Sequence, residues 1–300
     1  METNPLLFNP NLGNRPLVSV AMPVFNGAKT LKVALKSVLH QTYDHWELWL
    51  IDDGSSDASA AVAREFQDPR IHVLADGGRQ GHGLRLNEAI DLSRGEYIAR
   101  MDQDDVSFPE RFERQLAYLE DHPEIDLLGT GALVFDAAGT IKGLFPLRTS
   151  HKEICRRPWG GFYLPHPTWM GRTAWFRKFR YGGPEAFRAE DQDLLLRSFE
   201  ESQFACLPDV FFGYRQNDLP MKSVTAGRRS LARAVVREAL CRRRYGWIPM
   251  AVAGQVSKGL VEWGICSLTL ERRLLRHRAL PLSDVALIQR WREIWESYRD

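Results

Sequence analysis

Leu17 to Met22 is a nearly continuous apolar run closed by Pro23, the pattern of a strand buried on both faces. Asn26-Gly27 marks a turn, after which Leu31, Ala34, Leu35, Val38 and Leu39 recur at helical spacing. Trp46 to Ile51 reads as a second strand and stops at Asp52-Asp53-Gly54. Ser56 or Asp57 caps a helix running through Phe66. Ile71–Leu74 and Tyr97–Met101 follow as strands, with helices over Leu84–Leu92 and Pro109–Leu119. Strand and helix alternating at this spacing predict a mainly parallel sheet covered on both faces.

Leu127–Phe135 opens the second half as another strand. The pattern then loosens, with Gly, Pro and aromatic residues mixed from Phe145 to Gly183. A helix is predicted over Asp191–Phe199, then short strands at Phe204–Leu207 and Val210–Tyr214. Beyond Gln216 the chain turns to Arg-rich helices at 227–244, 251–276 and 282–298.

With 300 residues, 44% hydrophobic and 26% charged, the chain has ordinary globular composition. Disordered, collagen-like and coiled-coil readings are excluded for most of it. Cys155, Cys206, Cys241 and Cys266 are scattered without a C-x-x-C pair. That argues against a disulfide framework or a zinc site and favours a reducing compartment. Residues 1–16 are polar, without the basic-then-apolar order of a secretory signal. The net charge of +2 hides an asymmetry: residues 221–300 carry +9 and the rest −7. A basic end of that kind suits an anionic partner, nucleic acid or membrane leaflet.

Ligands of open parallel sheets bind beyond the carboxyl ends of the strands. Three strands end there in loaded segments: Pro23-Val24-Phe25-Asn26, Asp52-Asp53-Gly54 and Asp102-Gln103-Asp104-Asp105. Alternate residues of an extended backbone point the same way, so Asp102 and Asp104 face one site together. Hard oxygen ligands suit Mg²⁺ or Mn²⁺ completed by substrate phosphates. The same cluster reads equally as a solvated loop before the Pro109 helix, with Asp105 or Ser107 as a cap.

Taken in order, Val18 to Gly27, Ser37-Val38-Leu39-His40-Gln41-Thr42-Tyr43, Asp52 to Asp57 and Gly95 to Asp105 resemble a family 2 glycosyltransferase of GT-A fold, over 17–215. The resemblance implies an α/β nucleotide-diphospho-sugar transferase fold with a basic helical C-terminal extension. It implies a donor side of Pro23, Phe25, Asp53 and Asp102, with Phe25 packed on the donor's base and Asp53 bonded to the base ring. Asp102 and Asp104 match the D-x-D pair, Asp104 on an Mn²⁺ or Mg²⁺ that bridges the diphosphate. Glu190-Asp191 matches the family's Glu-Asp element after Gly182-Gly183, making Asp191 the base, with Glu190 on the acceptor side. A bare N-cap is the competing reading of Asp191. His166, in His166-Pro167-Thr168-Trp169, lies beside the acceptor by the same resemblance, or is a packed histidine. The glycine-rich stretch Gly77 to Gly83 departs from the family pattern. We read it as a flexible loop near the donor, with Arg79 or Arg85 at the phosphates.

No Gln-x-x-Arg-Trp element of processive synthases is found, because Gln289-Arg290-Trp291 has the wrong spacing. Single-sugar transfer is therefore expected, from a nucleotide-sugar, UDP-linked, to a glycan or polyprenyl-linked hydroxyl. Trp247–Leu270 is apolar but carries Lys258 and Glu262. Such mid-segment charges cost about 2.5–3.5 kcal/mol each in a spanning helix. The basic helices then either lie on an anionic leaflet or pack as a cap on the catalytic domain. The expected location is cytoplasmic, with peripheral attachment to the inner face of the membrane. The expected units are a tail at 1–16, a catalytic domain at 17–220 (donor half 17–125, acceptor half 126–220) and the helical region 221–300. Two other classes compete: a nucleotidyltransferase, disfavoured because the first strand ends in Pro23-Val24-Phe25-Asn26 rather than a basic Gly-rich loop, and a non-catalytic membrane- or RNA-binding protein. Arg228–Arg244 lacks the interleaved aromatics of an RNA surface, so nucleic acid is not expected.

Overall fold

The computed structural model describes residues 15–183, 188–216, 221–267 and 279–299. The predicted tail up to residue 14, and residues 268–276 of the predicted 251–276 helix, lie outside these. Strands β1 (Val18–Val24), β2 (Trp46–Asp52), β3 (Ile71–Ala75) and β4 (Tyr97–Arg100) form a parallel set. They run in the order β3-β2-β1-β4, and Val18 of β1 is in register with both Trp46 and Tyr97. Helices α1 (Leu31–Leu39), α2 (Ser59–Arg64) and α3 (His82–Leu92) connect them, and α4 (Arg111–Asp121) follows β4 in the chain.

The two-residue period of a strand sorts β1 between two cores. Val18, Val20, Met22 and Val24 join Leu35 and Leu116 on one face, while Ala21 joins Ile90, Trp169 and Leu194 on the other. All seven residues of β1 are buried, as the continuous apolar run predicts.

The second half extends the sheet through strands too short for periodicity to reveal. β5 (Val106–Ser107), β7 (Ile141–Leu144) and β8 (Met170–Arg172) have two to four residues each. β6 (Leu127–Phe135) pairs antiparallel with β8 and parallel with β9 (Phe204–Arg215). The two short strands expected at 204–207 and 210–214 are one strand. Its register with β6 shifts on either side of Gly131, where a Cβ would meet the Pro208 carbonyl oxygen at 2.8 Å. Glycine admits the bulge, so Pro208-Asp209 does not end the strand. The intervening helices are α5 (His151–Ile154), α6 (Thr173–Lys178) and α7 (Glu190–Ser198).

The C-terminal helices are α8 (Met221–Cys241), α9 (Trp247–Ser267) and α10 (Val285–Arg299). α8 packs as a cap: Ala234, Val235 and Ala239 are buried in the core shared with α7. Arg237 is paired with Asp193, Arg242 with Glu200 and Glu238, and Arg244 with Glu200, so part of the basic surface is spent inside the protein. No helix among the described residues is long and apolar enough to cross a membrane. α10 docks on the opposite side, where Trp291, Ile294 and Tyr298 form a third core with Phe108 and Phe135. Trp291 is 1% exposed and donates to the Gly139 carbonyl at 2.8 Å.

Truncating this anchor removes a large buried aromatic. Trp291→Ala is expected to lower unfolding stability in urea by about 3–5 kcal/mol, while Arg292→Ala on the exposed side of α10 changes it by less than about 0.5 kcal/mol. Equal effects of the two substitutions would mean that α10 is not docked as described.

Candidate functional site

A cavity of about 270 Å³ opens beyond the carboxyl ends of β1, β2 and β4, lined by Pro23, Val24, Phe25, Asp53, His82, Asp102, Gln103 and Asp104. Pro23, Phe25, Asp53 and Asp102, expected on the donor side, and Asp104, expected on the metal, thus line one cavity. Asp102, Asp104 and Asp105 offer oxygens that all lie within 4.8 Å of one another. What brings them together is a turn through Gln103-Asp104 rather than extended alternation, and the turn adds Asp105 to the group. Asp105 is no helix cap. It is 1% exposed, and its Oδ1 accepts from the Arg215 backbone N–H at 2.7 Å.

Three crowded carboxylates oppose one another's ionisation. Burial, with the Asp102 charge, raises Asp104 to about 6. Burial, with Asp104 and Asp102, raises Asp105 well above the usual carboxylate range. Asp105 Oδ2 is buried without a hydrogen-bond partner. An all-oxygen set with an orphaned buried oxygen fits a hard divalent cation. The protein supplies two cations beside it: Arg100 Nη2 lies 2.5 Å from Asp102, and Arg215 Nε donates to the Asp104 carbonyl at 2.7 Å. Arg215 in turn stacks over Phe135 and Trp295, 4.7 and 5.3 Å from the ring centres, so α10 reaches the acidic turn through it.

Gln103 is more than the spacer of D-x-D. Its side chain accepts from the Phe25 N–H at 2.6 Å and donates to the Phe25 carbonyl at 3.0 Å, which clamps the end of β1 to the acidic turn. The Asp53 carboxylate accepts from the backbone N–H of Gln80 (2.6 Å) and of Gly81 (2.9 Å), and from Arg85 Nε (3.2 Å). It therefore tethers the glycine-rich stretch while lining the cavity.

Arg85, expected near the phosphates, is already engaged by the protein. Its guanidinium is fully buried and its N–H groups are divided among Asp53, Asp76, Glu88 and the Gly78 carbonyl. Arg79 is the exposed arginine of this segment, its guanidinium 4.2 Å from the centre of the Phe25 ring. The stretch expected as one loop ends early, because His82-Gly83 is already the first turn of α3.

Gly83 lets the segments of Gly182 and Glu190, expected on the acceptor side, close on this wall. A Cβ there would meet the Gly182 carbonyl at 3.0 Å and Glu190 Cβ at 3.6 Å. The amide of Asn87 locks the contact through both backbone groups of Tyr181, each at 3.0 Å. His166 bonds the Tyr181 hydroxyl at 2.9 Å, packs edge-on against Trp169 and stands 6.1 Å from His82, ring centre to ring centre. Burial and the Arg100 charge hold both histidines neutral, His82 at about 4 and His166 well below its ordinary value. Asp191 lies in the first turn of α7, and its Oδ2 accepts from Gln192 at 3.0 Å. Burial, with the neighbouring Asp191 charge, pushes Glu190 up to about 7.

Four residues of this arrangement escape the sequence reading. His82, Arg100 and Gln103 were legible only as part of their motifs, and Arg215 carries no local signal.

The sequence matches Glycosyl transferase family 2 over residues 19–180. The chain is 35% identical over 195 residues to the putative glycosyltransferase EpsE of Bacillus subtilis, covering 63% of this chain and 69% of that protein. Its fold is similar to that of S. aureus TarS in complex with UDP-GlcNAc (TM-score 0.62, 16% identity, 95% of this chain and 80% of that one). It is similar also to the mannosyltransferase PcManGT of Pyrobaculum calidifontis with GDP-Man and Mn²⁺ (TM-score 0.55, 16% identity, 88% and 86%). The chain belongs to glycosyl transferase family 2 and has the GT-A fold. It is a glycosyltransferase that uses a nucleotide-sugar.

An acid whose folded pKa is raised disfavours the folded state once it ionises. For Glu190 that penalty is absent below about 4.5 and complete above about 7. Glu190→Gln is therefore expected to stabilise the protein by roughly 1–3 kcal/mol at pH 8 and to leave it unchanged at pH 4.5. Thermal melting across that range checks it, and a pH-independent difference would contradict it.

Proposed function

We propose that this glycosyltransferase moves one sugar, with inversion, from a UDP-sugar to a hydroxyl of a glycan or lipid-linked glycan. The observation that carries the reading is the trio Asp102, Asp104 and Asp105, within 4.8 Å of one another, of which Asp102 and Asp104 line a cavity that also holds Phe25 and Asp53. Those acids repel a diphosphate unless a cation joins them. Asp102 and Asp104 would hold Mn²⁺ or Mg²⁺, which supplies Lewis-acid stabilisation of charge on the leaving diphosphate. Pro23 and Phe25 would receive the base, an apolar face suited to a flat ring. Arg79, now stacked on Phe25, is the side chain that a bound base would displace or sandwich.

Asp191 is the proposed base. It takes the acceptor proton as the hydroxyl oxygen bonds to the anomeric carbon. The bond from that carbon to the diphosphate oxygen breaks, and its electron pair leaves with the nucleotide. A single in-line displacement with one base and no covalent intermediate inverts the centre. His166, held neutral, and Glu190 would orient the acceptor from the same side. Peripheral attachment to an anionic leaflet would fall to exposed arginines of the α8 end, Arg229, Arg233 and Arg243.

Two substitutions test the reading. Asp104→Ala should abolish the stabilisation of the protein by UDP and Mn²⁺ in thermal melting and reduce donor hydrolysis by about 100-fold or more. Asp191→Asn should retain that stabilisation while transfer falls by roughly 10²–10⁴-fold. Undiminished transfer by Asp191→Asn removes it as the base, and GDP outperforming UDP overturns the donor assignment.

A further inference from the structure

Arg100 is the last residue of β4, directly before the acidic turn, and is 3% exposed. One of its three nitrogens is engaged. Nη2 donates to Asp102 Oδ1 at 2.5 Å and to His82 Nε2 at 2.8 Å, bridging two groups that are themselves 4.0 Å apart. Nε and Nη1 are buried and have no hydrogen-bond partner among the described residues.

Two other buried arginines are held differently. Arg85 engages all three nitrogens, on Asp53, Asp76, Glu88 and the Gly78 carbonyl. Arg111, 0% exposed, donates from Nε to Gln115 at 2.9 Å and from Nη2 to the Arg100 and Trp169 carbonyls at 2.8 and 3.3 Å. Burial and the nearby Arg100 charge lower Arg111 to about 9, so the two guanidinium groups oppose each other. A buried charge with orphaned donors destabilises the fold that holds it. Among the described residues Asp102 is the one ion-pair partner that Arg100 has. Its place is thus set by the acidic turn rather than by the packing around it.

We infer that Arg100 is a built-in stand-in for the divalent cation: it neutralises Asp102 in the metal-free protein, competes with the metal for that carboxylate and so sets the affinity of the site. The inference rests on the reading of Asp102 and Asp104 as metal ligands. Arg100 is not on the lining of the donor cavity, which makes it a positioning residue acting through Asp102. Two effects of opposite sign meet here. Its hydrogen bond orients Asp102, which favours the metal, and its charge repels the metal. The turn is also held by the Gln103 clamp and by Arg215, so the orienting effect is shared among several groups. The repulsion between a guanidinium and a dication drawing on one carboxylate, in a site with little water to screen it, is not shared and prevails.

The test measures Mn²⁺ binding to the full chain without nucleotide, from the free-ion signal in electron paramagnetic resonance. Arg100→Met removes the charge and keeps a long side chain. It should tighten Mn²⁺ binding roughly tenfold or more, while Arg100→Lys should stay within about threefold of the unaltered protein. Asp104→Ala should lose the binding, which fixes the signal to the acidic turn. An arginine that only supports the structure gives the reverse order, so weaker or equal Mn²⁺ binding by Arg100→Met overturns the inference. Should Arg100→Met fail to melt as a folded protein, Arg100→Gln replaces it with the same expectation. Mn²⁺ binding by neither the unaltered protein nor the variant, or binding that Asp104→Ala leaves intact, overturns the metal reading and the inference with it, which keeps the two failures distinguishable.

Discussion

Three carboxylates forced into one turn set the terms for everything around them. Asp102, Asp104 and Asp105 repel one another, and the fold spends two arginines to keep them there. Arg100 reaches Asp102 from the end of β4, and Arg215 holds the turn by its side chain and its own N–H. Burial makes the repulsion costlier still, since an unpaired charge in a dry site disfavours ionisation. The result is an acidic turn braced from the end of β4 and, 111 positions beyond Asp104 along the chain, from the end of β9.

The donor wall is stiffened in the same manner, by hydrogen bonds that cross between strand ends. Gln103 clamps Phe25, and Asp53 gathers the Gln80 and Gly81 amides. Each contact joins segments that lie far apart in the chain, so the wall is a property of the sheet rather than of any one loop. Buried Arg85 completes it by neutralising the acids behind Asp53. The acceptor side meets this wall through small residues and an amide pair at Gly83, Gly182 and Asn87. That closeness sets the spacing between the two halves of the site.

Much of the first half was legible in the sequence because β1 and β2 are seven residues long and buried on both faces, and turn residues punctuate the shorter β3 and β4. Acids at the ends of β2 and β4 then pointed to one crevice. The later strands β5, β7 and β8 escaped because two to four residues cannot display a period. β9 was split at Pro208-Asp209 because the compensating glycine, Gly131, lies on a different strand. Arg215 illustrates the same limit at the site: its partner Asp104 is 111 positions away. No local pattern encodes such a pairing. Likewise the pull of Asp193 on Arg237 and of Glu200 on Arg242 and Arg244 could not be read from a segment that looks merely basic.

Arg215 also lies against Trp295 of α10, and this contact orders events in time. Synthesis of the acidic turn is long finished when residues 285–299 emerge, yet the arginine that braces it gains its aromatic support only when that helix docks. In a nascent chain that support therefore comes after every residue of the acidic turn and of β9 has been made.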